Sequence, residues 1–304
     1  MRKITVGTRG SALALCQTNW TVEQLKSRHP GLEIEVTIIK TKGDRILDVP
    51  LAKIGDKGLF VKEIESALLN GEIDFAVHSL KDLPTEMTAG LCIAAVPERE
   101  DPSDALISNG VSLRDLPTGA RIGSSSLRRA AQLLNFRADL KIYDLRGNLD
   151  TRLRKLDEGE YDAIILACAG LNRMGWADRI TERLSFEICL PAVGQGALGI
   201  QARADDEEVL GILTVLEHPE TRAAITAERS MMRVLEGGCQ VPVGAVGYMK
   251  DDRLYLRGVV ASLDGSRLIR GELSGDNPDA LGQELARDLL ANGADKILSE
   301  LREE

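Results

Sequence analysis

One cysteine stands in a setting that would suit a reactive thiol. Cys239 follows Gly237 and Gly238, and Pro242 lies three residues beyond it. Glycines remove side-chain bulk and permit positive φ, so a turn here could carry the sulfur toward another surface. A small buried residue at a tight turn would give the same pattern, and this segment alone does not separate the two interpretations.

A lysine and an aspartate form a second candidate site. Lys81 and Asp82 closely follow an apolar strand, Phe75–Val77. The carboxyl ends of strands are where α/β sheets bind ligands, and an aspartate there can stabilise a cation or accept a hydrogen bond from a ring N–H. In isolation such an aspartate is more often a turn or cap residue. A Ser-His-Asp triad is disfavoured because His78 and Ser79 are adjacent on a strand and point to opposite faces.

Six arginines come at or just beyond the predicted carboxyl ends of strands. Guanidinium groups stay charged and bind carboxylates bidentately. The array therefore predicts a ligand with many carboxylates or phosphates, held in a cleft between two domains. Phosphate is less favoured because the sequence has no GxxxxGK[ST] loop, and its G-x-G-x-x-G match at 194–199 lacks a βαβ context. The six are Arg9, Arg128, Arg129, Arg146, Arg152 and Arg173.

Two of these arginines occupy an unusual position on a helix. Arg128 and Arg129 follow Ser124, Ser125 and Ser126 at a strand-to-helix junction. Small residues leave the first N–H groups of the helix open to an anion, whereas the helix dipole disfavours cations at that end. We expect a bound anion to offset this cost.

The composition narrows the function classes. The net charge of −9 and the aromatic content of 3% argue against a protein that binds or stacks nucleic acid. The five cysteines form no CxxC pair and the three histidines have no zinc-ligand spacing, which favours free thiols in a reducing compartment and gives no support for a metal site. No apolar run approaches the ~18 residues of a membrane span. With no signal-peptide core, a cytoplasmic protein is expected.

The pattern of elements predicts an α/β protein with a smaller C-terminal α+β domain. Strands alternate with helices up to about residue 167, which implies parallel sheets with helices on both faces. After Cys239, three short alternating strands precede a helical end. The predicted domains are 1–98 with 198–216, then 99–197, then 217–304. The Gly-, Lys- and Asp-rich stretch 41–58 is expected to form a lid loop.

Taken together, these residues give the sequence a close resemblance to the porphobilinogen deaminases, also called hydroxymethylbilane synthases. The matching motifs run in family order over essentially the whole chain, so the combination is highly specific. The resemblance implies two doubly wound domains like those of periplasmic binding proteins plus a third domain that carries the cysteine. The motifs are Thr8–Ala14, Gly58–Glu63, His78–Pro84, Ser124–Arg129, Leu145–Asn148, Pro191–Gly196 and Glu236–Gly244.

The resemblance also implies an activity and a cofactor. The family joins four porphobilinogen molecules head to tail into linear hydroxymethylbilane and releases ammonia at each step. Its cofactor is a dipyrromethane made from substrate and attached by a thioether to the loop cysteine, here Cys239. Asp82 would stabilise the cationic substrate, hydrogen-bond pyrrole nitrogens and help to move protons.

The remaining site residues follow from the same motif matches. Those implied to hold cofactor carboxylates are Lys81, Ser126, Arg128 and Arg129. Those implied to bind substrate or the growing chain are Arg9, Ser11, Arg146, Arg152, Arg173 and Gln195. The expected partner is a small-molecule substrate, with no nucleic acid, no membrane and a monomeric protein. The competing class is a non-catalytic two-domain protein that binds carboxylate ligands.

Overall fold

The computed structural model describes residues 3–45, 61–235 and 241–303, and three β-sheets organise them. The chain divides into two compact units. Residues 1–100 and 197–222 form unit 1, while residues 101–196 and 223–304 form unit 2. Strands and helices are numbered below along the chain.

Unit 1 is built on a five-stranded sheet with the order β2-β1-β3-β10-β4. Strand β1 runs parallel to both β2 and β3, whereas β10 runs antiparallel to β3 and β4. The prediction of parallel sheets is therefore wrong for β10, because it enters the sheet from the opposite end. The strands are β1 (Ile4–Thr8), β2 (Ile34–Ile38), β3 (Phe75–Ser79), β4 (Leu91–Ala95) and β10 (Leu198–Arg203).

Helices cover both faces of this sheet. Successive residues of β3 show this, because Phe75 and Val77 pack in one buried cluster and Ala76 packs in another. The first cluster contains Leu25 of α1, and the second contains Leu68 of α3. The helices are α1 (Ala12–Arg28), α2 (Lys42–Arg45), α3 (Lys62–Leu69) and α7 (Glu207–Leu213), with 3₁₀ turns at Leu80–Asp82 and Thr214–Leu216.

Unit 2 contains a second five-stranded sheet with the order β7-β6-β8-β5-β9. Strand β6 is parallel to β7 and β8, while β5 is antiparallel to β8 and β9. Here too the prediction of a purely parallel sheet is wrong. The strands are β5 (Asp104–Ser108), β6 (Arg121–Gly123), β7 (Lys141–Tyr143), β8 (Ala163–Ala167) and β9 (Glu182–Arg183).

The second sheet is also covered on two faces. Leu106 of β5 packs with Leu133 of one helix, whereas its neighbours Ala105 and Ile107 pack with Leu153 of another. The alternation follows from the two-residue period of a strand. The helices are α4 (Leu127–Phe136), α5 (Leu149–Asp157) and α6 (Cys168–Arg173), followed by a 3₁₀ turn at Ala177–Arg179.

The C-terminal part of unit 2 is an antiparallel three-stranded sheet packed against helices. Strands β11 (Val243–Lys250), β12 (Arg253–Ala261) and β13 (Leu268–Gly275) are hydrogen-bonded in that order. Helix α8 (Pro219–Val234) precedes them, and α9 (Pro278–Leu289) and α10 (Asp295–Glu303) follow. A π-helical turn at Leu290–Ala294 interrupts the final helix, where Gly293 has φ of 109°.

The predicted fold class, two doubly wound α/β domains plus a small C-terminal α+β domain, is confirmed by this topology. The domain limits 1–98 with 198–216, 99–197 and 217–304 stay a prediction. Most of the expected lid loop, residues 46–58, lies outside the described residues. Among the described helices, none is both long and apolar enough to cross a bilayer.

Candidate active site

In unit 1, four predicted site residues lie at one edge of the sheet. Arg9 and Ser11 follow β1, and Lys81 and Asp82 belong to the 3₁₀ turn that follows β3. Because β1 and β3 are parallel neighbours, their carboxyl ends meet at the same edge. The structure therefore brings these four residues to one side of unit 1, as the motif spacing predicts.

Capping and a side-chain bridge fix this edge. Ser11 is the N-cap of α1, and its Oγ accepts a hydrogen bond of 3.3 Å from the backbone N–H of Ala14. Gln17, on the same helix, donates from Nε2 to Ser79 Oγ at 3.0 Å, which ties α1 to the end of β3. Lys81 is half-buried and Asp82 is exposed. The carboxylate of Asp82 is thus accessible, and the end of the strand that precedes it is tied to α1.

A buried histidine lies directly behind this edge. His78, on β3, is 5% exposed. Burial lowers the pKa of His78 to about 4; the Gln201 side chain opposes that shift and the charge of Arg9 adds to it. The imidazole is therefore neutral at pH 7.

Lowering the pH should destabilise the fold through His78. Its pKa is lower in the folded state than the ~6.5 of an unfolded chain, so the unfolded state binds more protons between about pH 6.5 and pH 4. The contribution is complete above that window and is lost as pH falls through it, at a total of about 3 kcal/mol. Urea unfolding at pH 7 and pH 4.5 measures this loss. The loss of unfolding free energy between these pH values should be smaller in His78→Gln. If the unfolding free energies of the two proteins fall in parallel with pH, the prediction is wrong.

In unit 2, the serine- and arginine-rich motif caps a helix at the end of a strand. Ser126 is the N-cap of α4, and its Oγ accepts from the backbone N–H of Arg129 at 3.4 Å. Both Arg128 and Arg129, in the first turn of this helix, have buried side chains. The structure therefore explains how two cations tolerate this end of a helix: their charges lie beside an internal anion.

That anion is Asp104, the first residue of β5, which sequence reasoning missed. Its side chain is fully buried. Oδ2 accepts from Arg128 Nη1 at 2.7 Å, and Oδ1 accepts from Arg129 at 2.6 Å (Nη2) and 3.0 Å (Nε). Gln195 Nε2 donates to the same Oδ1 at 2.8 Å, and the Cys189 thiol donates to Oδ2 at 3.4 Å. Asp104 therefore organises three of the predicted site residues.

The charges of this cluster set the protonation of its members. Burial alone would raise the pKa of Asp104, but the guanidinium groups of Arg128 and Arg129 outweigh it and hold that pKa well below its usual range. Burial, with a further contribution from Asp104, raises the pKa of the Cys189 thiol to about 12. The cluster therefore holds two guanidinium groups, one carboxylate and a neutral thiol, and carries a net positive charge.

The two arginines differ in what they can offer a ligand. Arg129 donates from all three guanidinium nitrogens inside unit 2, because Nη1 also binds the carbonyl of Ile165 at 2.9 Å. Arg128 donates from Nη1 to Asp104 and to the carbonyl of Leu190. Within the described part of the chain, its Nε and Nη2 make no hydrogen bond. Arg128 therefore retains donors for an external carboxylate, whereas Arg129 is held in place.

Three further arginines follow β7 or β8 in the chain. Both strands are parallel to β6, so their carboxyl ends lie at the same edge of the second sheet. Arg146 follows β7 and is half-buried. Arg152 donates from Nε to the carbonyl of Gly147 at 2.8 Å, and Arg173 donates from Nη2 to the carbonyl of Gly196 at 2.7 Å. Backbone carbonyls thus orient both guanidinium groups, and Arg173 contacts the loop that contains Gln195.

The predicted attachment residue, Cys239, lies outside the described residues. Among the described residues, no group of three His, Cys, Asp or Glu side chains could hold a metal ion. Asp104 could have been suspected from sequence, since it is a charged residue at the head of an apolar run, Ala105–Ile107. Its partners, however, are 24 and more residues away along the chain.

Comparison with solved structures finds low similarity to two binding proteins. One is a nutrient binding protein from Burkholderia cenocepacia bound to methionine, with 16% identity, a TM-score of 0.44 and coverage of 75% of this chain and 94% of that one. Another is the methionine binding protein MetQ, with 17% identity, a TM-score of 0.44 and coverage of 69% and 88%.

Sequence comparison is far more specific. Residues 4–211 match the family model described as the porphobilinogen deaminase dipyromethane cofactor binding domain, and residues 222–291 match the porphobilinogen deaminase C-terminal domain. Porphobilinogen deaminases from Desulforamulus reducens and Desulforudis audaxviator are 58% and 57% identical to this chain, each over 99% of its length and 98% of their own. The protein from Carboxydothermus hydrogenoformans is 56% identical over the same shares. With both models matched and such relatives aligned from end to end, this chain belongs to the porphobilinogen deaminase family.

Proposed function

We propose that this chain is a transferase that deaminates porphobilinogen and joins four molecules head to tail into linear hydroxymethylbilane. The observation that carries the proposal is the end-to-end match to porphobilinogen deaminases at more than half identity. The exposed Asp82 beside Lys81 supplies the carboxylate that this chemistry needs. A non-catalytic carboxylate-binding protein would have no use for it, and the names of the relatives disfavour that alternative.

The residues of unit 2 fit a cofactor that carries carboxylates. The Asp104 cluster has a net positive charge, and Arg128 keeps N–H donors without an acceptor among the described residues. Ser126 stands at the amino end of α4, where the helix dipole favours an anion. From unit 2, Ser126 and Arg128 would hold carboxylates of the dipyrromethane, with Arg129 fixing their position through Asp104. The role assigned to Lys81 of unit 1 is also to bind a cofactor carboxylate. When bound, the cofactor supplies the pyrrole carbon to which the first substrate is joined.

The other site residues act on substrate. Porphobilinogen carries an acetate and a propionate, so each addition brings two more carboxylates to be bound. Arg9, Arg146 and Arg173 are the groups we assign to them. The same assignment covers Ser11, Arg152 and Gln195. Each guanidinium stays charged throughout, so the growing chain can be held at every length.

Asp82 is the residue we assign to the chemical step. As ammonia leaves, positive charge develops on the pyrrole of the substrate, and a nearby carboxylate stabilises it. The same group can accept a hydrogen bond from the pyrrole N–H and can take the proton released when the new carbon–carbon bond forms.

Attachment of the cofactor to Cys239 can be tested by intact mass. We expect the wild-type protein to exceed its sequence mass of 33.0 kDa by a two-pyrrole adduct and Cys239→Ser to lack it. An aldehyde colour reagent for pyrroles should react with the first protein and not with the second. Cys92→Ser, at a half-buried thiol, is the matched control and should keep the adduct. An adduct that survives in Cys239→Ser would refute attachment at that sulfur.

We also propose a monomer that works in the cytoplasm on a small molecule, without nucleic acid or membrane. The net charge of −9 supports this, because an acidic surface repels nucleic acid and anionic lipid while a local cationic site still attracts a carboxylate-rich substrate. Light scattering of the purified protein tests the oligomeric state.

A further inference from the structure

A fully buried carboxylate in α8 joins two distant parts of unit 2. Glu228 has no exposed surface. Its Oε2 accepts from the backbone N–H of Gly194 at 2.7 Å, and its Oε1 accepts from the backbone N–H of Gly247 at 2.7 Å. One side chain thus bonds the loop before β10 and strand β11, which are more than 50 residues apart in the chain.

Close backbone packing fixes where this carboxylate lies. A Cβ added to Gly247 would come within 2.9 Å of the carbonyl oxygen of Ala224, so α8 and β11 touch with no side chain between them. The backbone N–H of Ala245 donates to the carbonyl of Pro191 at 2.9 Å, which brings the loop against the same strand. Glu228 therefore sits between two segments that cannot move apart without breaking its hydrogen bonds.

The loop that Glu228 holds contacts the Asp104 cluster and Arg173. Gly194 and Gly196 have φ of 76° and 87°, in the left-handed region, and Gln195 lies between them. The side chain of Gln195 donates to Asp104, and the carbonyl of Gly196 accepts from Arg173. Any displacement of Gly194 would thus be transmitted to the Asp104 cluster and to the Arg173 guanidinium.

The strand that Glu228 holds follows the cofactor cysteine. Val243, the first residue of β11, is four positions after Cys239 in the sequence. A cofactor attached there must be kept at a constant distance from the groups that bind carboxylates, since the site has to recognise each added pyrrole unit in turn. Glu228 hydrogen-bonds both segments concerned: β11, which follows the cysteine, and the loop that contains Gln195.

We infer that Glu228 is a positioning residue for the reaction: it fixes the loop of Gln195 and Gly196 against the strand that follows the cofactor cysteine. The inference rests on the proposed function. It also explains why the residue is a glutamate. Two N–H donors converge on it, so both oxygens must accept, and a glutamine can offer only one acceptor.

Glu228→Gln tests this role with almost no change in shape. Its NH₂ group would face one of the two backbone N–H groups, which frees one segment. We expect the loop of Gln195 to keep its observed position about a tenth of the time in this variant. Apparent affinity falls in proportion to that fraction, so KM for porphobilinogen should rise about tenfold. The kcat should stay within about threefold, and the pyrrole adduct should be retained. Glu220→Gln, at an exposed glutamate of the same helix, should leave both constants unchanged.

Hydrogen exchange separates positioning from general stability. Peptides covering 190–196 should exchange about tenfold faster in Glu228→Gln than in the wild type, while peptides from β1 and β3 should not change. A purely structural role would reduce the amount of folded enzyme and leave KM unaltered, and that result would overturn the inference. If Glu228→Gln fails to fold, Glu228→Asp keeps the charge, shortens the reach and should show the same rise in KM.

The wild-type protein gives an independent check. The amides of Gly194 and Gly247 should be strongly protected from exchange, and exchange as fast as in an exposed loop would also overturn the inference. Failure of the proposed function is recognised differently, because the wild-type protein would then lack the adduct or would not consume porphobilinogen. The exchange data would still report whether Glu228 holds the loop.

Discussion

Replacing Asp82 by asparagine should reduce kcat by about 10²–10⁴-fold and leave the unfolding temperature nearly unchanged, because the side chain is exposed and its removal exposes no apolar surface. Asparagine has the same shape but neither carries a negative charge nor takes up a proton. The loss should therefore fall on the chemical step. Steady-state kinetics and thermal unfolding of the same preparation measure both quantities.

Glu86→Gln is the matched control for this variant. Glu86 is an exposed carboxylate four residues further along the same segment, and its neutralisation should leave kcat within about twofold. The pyrrole adduct should be measured in both variants, so that a missing cofactor is not mistaken for a missing catalytic group. Wild-type turnover in a fully loaded Asp82→Asn protein would remove Asp82 from the mechanism.

The second large effect is on stability and concerns Asp104. Asp104→Asn should lower the free energy of unfolding by about 3–5 kcal/mol, because it leaves the guanidinium groups of Arg128 and Arg129 buried with no compensating charge. Chemical denaturation at pH 7 measures the difference. The same substitution at Asp162, whose ion pair with Arg121 is solvent-accessible, should cost far less. If the two variants lost the same free energy of unfolding, burial would not make the ion pairs of Asp104 more important for stability than an exposed pair.

The pH dependence of unfolding gives a further test of this cluster. The pKa of Asp104 is lower in the folded protein than the ~3.9 of an unfolded chain. Its contribution is therefore complete above about pH 5 and is lost progressively as the pH falls below that value. Asp104→Asn should be less sensitive to acid over this range than the wild type, although it is less stable throughout.

Local sequence signals predict most of the elements that the structure shows. Ser126 identified the start of α4, and the apolar run up to Ala167 identified β8. Pairing direction was not available from such signals. A strand that returns antiparallel, such as β10, has the same residue pattern as a parallel one, since both are buried on two faces.

The site was less predictable where it depends on contacts between distant residues. Asp104 and Glu228 are the two examples. Each is a single carboxylate whose hydrogen-bond partners are distant in the sequence. No spacing pattern in the sequence predicts, for example, that Glu228 binds the backbone N–H of Gly194.

The place of β10 in the first sheet has a consequence for biosynthesis. This strand lies between β3 and β4, yet it is made only after the ribosome has passed through residues 101–196. Until Arg203 has emerged, β3 and β4 have no partner to join them, and each presents an open edge on which other chains can polymerise. Nascent chains that stall before this point, and fragments that end near Glu100, should therefore not fold on their own. We expect chaperones to bind them and proteases to degrade them.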